Sequence, residues 1–284
     1  MIRTILAPAT GIDDDTAVFA AALAVARRLG GHLDVLHVHP DPAQIAAAFA
    51  ADAGSELVTT GLIERLEAEA DEREERAKKS FLAFCERERL SSGAAPTQPG
   101  AVTAEWHREV GNETGWIIDC ARTSDLLVVA RPVEGGASDI LAAALLDTGR
   151  PLLIPGARPL NPEIVAIAWK STREAAQAVT AAAPFLETAQ RIVIITVTEH
   201  DPMDRDSGMR LLATLQRHNP ATEARHIPPD SRSTGETLLA TVDGVGAGLL
   251  VMGGYSHNPV RELILGGVTE HVLRSAALPV LMAH

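Results

Sequence analysis

A β/α pattern that runs through the chain twice is the strongest constraint on what it can fold into. The first copy opens with the apolar run Ile2 to Pro8 and closes with Pro151-Leu-Leu-Ile. The second opens with Ile164 to Trp169 and closes with Pro279-Val-Leu-Met. Each copy takes up about 140 residues, and self-similarity on that scale marks a repeated structural unit. The segment Pro155 to Pro162 (Pro-Gly-Ala-Arg-Pro-Leu-Asn-Pro) is the clearest linker. Two domains are therefore expected, 1–155 and 163–284.

Within each copy, short apolar runs alternate with helical periodicity. In the first, Leu33 to Val38, Val102 to Val110 and Leu126 to Ala130 read as strands. Helices are expected from about Thr16 to Leu29, Thr60 to Arg89, Asn112 to Ala121 and Ala137 to Leu146. In the second, Ile192 to Val197, Thr222 to Ile227 and Gly248 to Met252 are the strands that follow. Helices are expected to open at two capping boxes, Ser171-Thr-Arg-Glu174 (running to about Glu187) and Ser233-Thr-Gly-Glu236, with a shorter one at Arg205 to Arg217. Strands that alternate with helices predict α/β domains, each a mostly parallel, doubly wound sheet of five strands flanked by helices. The short last strands, Pro151 to Ile154 and Pro279 to Met282, would need covering if left at a sheet edge.

Composition narrows the function. A net charge of −12 disfavours nucleic acid and membrane surfaces as partners, since both repel an acidic body. Two distant cysteines, Cys85 and Cys120, fit a reduced compartment. The first residues already read as a strand rather than a leader, and no apolar run is long enough to span a bilayer. A cytoplasmic protein is expected.

The richest stretch is Ala247 to Met282. The run Leu249-Leu-Val-Met252 stops at Gly253-Gly254, and Gly266-Gly267 opens a run with Val268, Val272, Leu273 and Ala276 at helical spacing. Glycines let backbone N–H groups approach an anion, and a helix N-terminus adds a positive dipole end. This predicts a phosphate cradle at the C-terminal edge of a parallel sheet. The first copy has Ala130-Arg131-Pro132 where the second has Met-Gly-Gly, so the cradle is expected only in the second. The alternative is that both glycine pairs are tight turns.

At these residues the chain resembles the universal stress protein family in its tandem, two-domain form. The likeness spans the whole length and is strongest in Ser171 to Val179 and Leu249 to Met282. Members that bind ATP carry a strand ending in Gly-x-x-Gly, nine residues, then Gly-Ser or Gly-Thr. Here Gly253-x-x-Ser256, nine residues and Gly266-Gly267 fill that frame. Ser256 stands at the second glycine, Gly267 at the hydroxyl residue, and Lys170 where such members usually carry Asp. The resemblance implies an adenine nucleotide-hydrolase-like fold and an adenine nucleotide (ATP, ADP or AMP), with or without Mg2+, in domain 2. Its phosphates would meet Met252, Gly253, Gly254, Ser256, His257, Gly266, Gly267, Val268 and Thr269, with Arg261 nearby. Its base would lie near Ala168, Trp169, Lys170 and Val197. Single-domain relatives pair through their last strands, which implies that the two repeats pair through Pro151 to Ile154 and Pro279 to Met282, and a homodimer of whole chains is expected.

Other signals are weaker. Arg261 and His257 are loop residues equally consistent with solvation. Trp169 reads as packing, with adenine stacking as the alternative. Asp13 to Asp15 read as helix-dipole complementation rather than a metal site. His37, His39, His200 and His284 read as free surface histidines, with zinc as the alternative; without an HExxH or cysteine pattern no metal site is expected. No nucleophile elbow, Walker lysine or catalytic constellation is legible, so no enzyme is expected. Two readings follow: a stress-response protein that binds a nucleotide in its second repeat, or an interaction module whose sites have decayed.

Overall fold

The computed structural model describes residues 2–12, 15–42, 44–45, 60–93, 101–131, 139–197, 202–228, 231–254 and 267–284. The chain forms two compact units, Arg3–Asp125 and Leu126–His284, the latter with residues 1–2. The α/β reading with a mostly parallel sheet holds in both.

The first unit contains β1 (Thr4–Pro8), α1 (Asp15–Leu29), β2 (His32–His39), α2 (Thr60–Glu88), β3 (Ser91–Ser92), β4 (Thr103–Val110) and α3 (Glu113–Thr123). Its strands lie in the order β3-β4-β2-β1, all parallel. Asn112 caps α3 as expected, its side-chain oxygen accepting from the Gly115 N–H at 2.7 Å. Aromatics are scarce in this chain, and three of its five phenylalanines meet in one cluster. Phe19 of α1 contacts Phe81 and Phe84 of α2, and Phe81 contacts Trp106 of β4. The cluster fastens both helices to one face of the sheet.

The loop after β1 is stapled shut. The buried Asp15 carboxylate accepts from the N–H and hydroxyl of Thr10 and from the Gly11 N–H at 2.8–2.9 Å. Arg73 and Arg76 of α2 donate to the Thr10 and Gly11 carbonyls, both at 3.1 Å. Gly11 has φ +69°, and a Cβ there would stand 2.2 Å from the Arg73 carbonyl oxygen. Both the conformation and the contact require glycine.

The second unit contains β5 (Leu126–Val128), α4 (Asp139–Asp147), β6 (Leu152–Ile154), β7 (Ile164–Ala168), α5 (Arg173–Ala181), α6 (Ala183–Leu186), β8 (Arg191–Val197), α7 (Pro202–Leu215), β9 (Thr222–Ile227), α8 (Thr234–Gly244), β10 (Leu249–Gly253), α9 (Gly267–Ser275) and β11 (Val280–Ala283). The strand order is β5-β6-β11-β10-β7-β8-β9. Only β6 and β11 run antiparallel to each other, with Leu281 opposite Leu153. This ladder groups β5, α4 and β6 with the second repeat, so the compact units divide near residue 125 although the sequence pattern restarts near 163. The central strands β7, β8 and β10 are almost wholly buried, as their uninterrupted apolar runs require.

Two local expectations shift. The N-cap before α5 is Thr172, not Ser171; its hydroxyl accepts from the Ala175 N–H, which leaves Glu174 out of the box position. That helix does not continue to Glu187 but breaks at Ala182, where Pro184 restarts the chain as α6. The box at Ser233 and Glu236 is reciprocal, as read.

Arg131, the residue standing where the second repeat has glycine, is a clamp. Its guanidinium donates to the Leu273 carbonyl at 2.5 Å and the Val272 carbonyl at 3.2 Å, both at the end of α9. It also reaches the Pro155 carbonyl at 3.2 and 3.3 Å. A cation on the last carbonyls of a helix offsets both their unmet acceptors and the negative dipole end. Burial lowers its affinity for the proton, but a guanidinium stays charged. Arg131→Ala is expected to cost about 2 kcal/mol through lost charge-assisted bonds, read as a lower denaturant midpoint, with Arg131→Lys recovering only part. Gly11→Ala is expected to destabilise by at least about 1 kcal/mol from its φ alone, and further from the clash with Arg73, on the same measurement.

Candidate functional site

The second unit has its topological switch at β7. This strand pairs with β10 on one side and β8 on the other, Ala168 opposite both Met252 and Ile195. Open parallel sheets take ligands in the crevice beyond the C-terminal ends of such strands. The structure brings Ala168, Trp169, Met252 and Gly253 together there. Val197 ends β8 along the same edge. The Trp169 N–H donates to the Ile195 carbonyl at 2.9 Å, which extends the ladder by one residue. Lys170 is exposed, and its carbonyl accepts from the Thr172 N–H at 2.7 Å in the turn that starts α5. Arg173, the first residue of α5, is exposed as well, so two cations stand at that helix N-terminus.

The first glycine pair is used for packing. A Cβ on Gly253 would stand 2.6 Å from the Ala175 nitrogen, because the first turn of α5 lies directly on the end of β10. A Cβ on Gly254 would stand 2.4 Å from the Leu145 side chain. The Gly254 N–H donates to the Ala283 carbonyl at 2.9 Å, and its carbonyl accepts from His284 Nδ1 at 3.1 Å. Gly267 differs: among the described residues, a Cβ there would meet nothing within 4 Å. It opens α9, where Val268 is half-buried and Thr269 buried. Ser256, His257, Arg261 and Gly266 lie outside the described residues.

Trp169 is anchored, its indole N–H donating to the Ser207 hydroxyl of α7 at 3.0 Å. Behind it sits a polar group that the sequence did not reveal. Thr196 of β8 and His226 of β9 are register partners, and α7 approaches them closely at Gly208. The Thr196 hydroxyl and both His226 ring nitrogens are buried without a partner among the described residues. Burial, together with the Arg205 charge, holds the His226 imidazole below its ordinary pKa, favouring the neutral ring. Only the strand register brings these two residues together, and 29 intervening residues hide it from the sequence.

A cavity of about 430 Å³ lies beside this edge, between the α4–β6 turn, α5 and the end of β11. Arg150, Arg173, Gln177, Thr180 and His284 are its polar lining. None of the described residues expected to hold a nucleotide lines it, although His284 joins it to Gly254. The histidines also need correction. His37 is fully buried and the His39 side chain is only 11% exposed, so neither is a free surface residue. His284 is half-buried, and His200 lies outside the described residues. No helix among the described residues is long and apolar enough to cross a membrane.

The fold recurs in solved structures. A universal stress protein from Archaeoglobus fulgidus DSM 4304 superposes with a TM-score of 0.72 at 16% identity, over 99% of this chain and 97% of that one. A candidate universal stress protein from Pseudomonas aeruginosa UCBPP-PA14 gives 0.58 at 12% identity, over 99% and 92%. A protein of unknown function from Pseudomonas aeruginosa PAO1 gives 0.57 at 12%, with the same coverage. No functionally curated protein matches the chain. The model of the universal stress protein family matches residues 1–145 and again 163–284, and the chain therefore belongs to that family, as a tandem member.

Proposed function

We propose that the protein is a cytoplasmic stress-response protein that holds an adenine nucleotide, with or without Mg2+, at the C-terminal edge of β10, β7 and β8, and that it does so without marked catalysis. The observation that carries this reading is the local charge at the switch point. Lys170 and Arg173 stand at the N-terminus of α5, where the helix dipole has their own sign. A like charge there costs roughly 0.3–1 kcal/mol, and an anion in the crevice removes that cost. The N-terminus of α9, where no described residue would meet a Cβ on Gly267, offers further N–H groups to phosphate. Whole chains associate as homodimers in this reading.

A second reading is favoured by a specific observation. Close packing against Ala175 and Leu145 accounts for Gly253 and Gly254 without any ligand. On that view the family scaffold serves as an interaction module for protein partners.

Thermal unfolding with ATP, ADP and AMP separates the two, with mass spectrometry of any ligand released from freshly purified protein. At a hundredfold excess over its dissociation constant, a bound nucleotide stabilises by roughly 2.7 kcal/mol. Gly267→Val, whose Cβ would meet none of the described residues, is expected to keep the unliganded melting temperature and lose the shift. Gly253→Val is expected to lower the unliganded melting temperature itself, by driving α5 off β10. No shift of the unaltered protein at millimolar nucleotide, with no ligand released, overturns the nucleotide reading.

A further inference from the structure

The geometry points to a transition-metal site in the first unit, built from His37 Nε2, His39 and Glu74, that takes Zn2+ or a similar borderline cation. Side chains two apart on a strand share a face, so β2 presents His37 and His39 together. The helix α2 covers that face and brings Glu74 over them. One nitrogen of each imidazole and one Glu74 oxygen lie within 4.8 Å of one another. Tetrahedral Zn2+ with bonds near 2.0–2.1 Å holds its ligands roughly 3.3–3.4 Å apart. The His39 Nδ1 to Glu74 Oε2 distance is already 2.9 Å, and the three residues' ligand atoms need only close from within 4.8 Å to that spacing.

His37 is the residue that asks for a ligand. Its Nδ1 lies 2.7 Å from the Ala9 carbonyl oxygen, which can only accept, so Nδ1 carries the hydrogen. That leaves a lone pair on Nε2. The residue is 0% exposed, and Nε2 has no partner among the described residues. A backbone carbonyl that fixes the tautomer is the arrangement that orients metal-bound histidines. Trp106 stacks on the ring, with centroids 5.7 Å apart and planes within 15°, and holds it in place.

Glu74 is poised as an anion. Burial alone would raise its pKa, but Arg108, with His39 and His37, holds it below the ordinary carboxylate range. The Arg108 Nε is 2.8 and 3.0 Å from the two oxygens. A carboxylate has about four lone-pair positions, so Arg108 can stay as an outer partner while one oxygen turns to the metal. Two imidazoles and a carboxylate suit Zn2+, Co2+ or Ni2+; Mg2+ and Ca2+ prefer all-oxygen shells. Three ligands leave a fourth position for water.

A second group, His32 and Asp34 of β2 with Glu105 of β4, lies on the other face of the sheet and serves as the contrast. There His32 is satisfied at both nitrogens, by Thr103 at 2.6 Å and Asp34 at 3.1 Å, and His107 bonds Asp34 at 3.0 Å. It is a closed polar network with no free buried donor.

The test uses the full chain without an appended histidine tag, stripped with a chelator and titrated with Co2+, then Zn2+, with Mg2+ as a parallel sample. One equivalent of Co2+ is expected to give the visible bands of a tetrahedral centre, and Zn2+ to displace it. His37→Gln and Glu74→Gln are each expected to lower affinity at least roughly tenfold, and His32→Gln to leave it unchanged. If His37→Gln fails to fold by circular dichroism, Glu74→Gln carries the comparison. Absence of saturable Co2+ uptake, equal uptake by Glu74→Gln, or loss of uptake in His32→Gln overturns the site; the His37 nitrogen then holds a buried water. The result does not depend on nucleotide binding in the second unit.

Discussion

The antiparallel ladder between β6 and β11 is the constraint on which the second unit rests. A β/α repeat makes parallel sheets, and each repeat here ends in a strand of only three or four residues. Leu152, Leu153 and Ile154, and Val280, Leu281 and Met282, are all wholly buried. Left as an edge, either strand would expose apolar side chains and a row of unpaired backbone groups. Paired, they join two runs of parallel strands across one antiparallel step. Arg131 reinforces the same junction by tying the carbonyl end of α9 to Pro155, just after β6. A loop position that holds glycine in one repeat has thus become a structural cation in the other.

Corresponding loops of the two repeats solve different problems with similar residue types. After β1, Asp15 closes the loop on itself, and Arg73 and Arg76 each donate Nε–H to one of its backbone carbonyls. After β7, Lys170 and Arg173 are both exposed, and the only acid in the first turn of α5 is Glu174. The first arrangement turns two cations onto its own backbone. The second leaves Lys170 and Arg173 exposed at a helix start, where positive charge is otherwise unfavourable. This difference in charge, more than the glycine count, separates the two crevices.

What was legible in the sequence was whatever depends on near neighbours. Continuous apolar runs gave the buried strands, and Ser233 with Glu236 gave a real capping box. Errors came where two local signals compete. Ser171 and Thr172 are both good caps, and Pro184 interrupts a run that otherwise reads as helical. The meaning of Gly253 and Gly254 was not legible, because close approach to a helix and close approach to an anion require the same absence of a Cβ. The distinction lies in three-dimensional neighbours, and at these two glycines a Cβ would meet Ala175 and Leu145. The partnership of Thr196 with His226 depends on strand register, which no spacing along the chain reveals.

The burial of His37 belongs to the same class, and it shows where local rules break. A strand residue facing a helix in a parallel sheet is ordinarily aliphatic, and its neighbours Leu33, Val35, Leu36 and Val38 conform. An imidazole at that position forgoes apolar burial and leaves a ring nitrogen without a bond, a cost of about 1–3 kcal/mol. Stabilities of whole domains are only about 5–15 kcal/mol, so this is a substantial fraction. The Ala9 carbonyl recovers one nitrogen's bond and Trp106 supplies ring contact, yet neither reaches Nε2. The remaining imbalance lies beside a charged carboxylate and a second imidazole, which is where a bound cation would restore it. A leucine in place of His37 would keep the apolar packing and remove the unsatisfied nitrogen, but it would take the donor from the Ala9 carbonyl and could offer no lone pair to a cation.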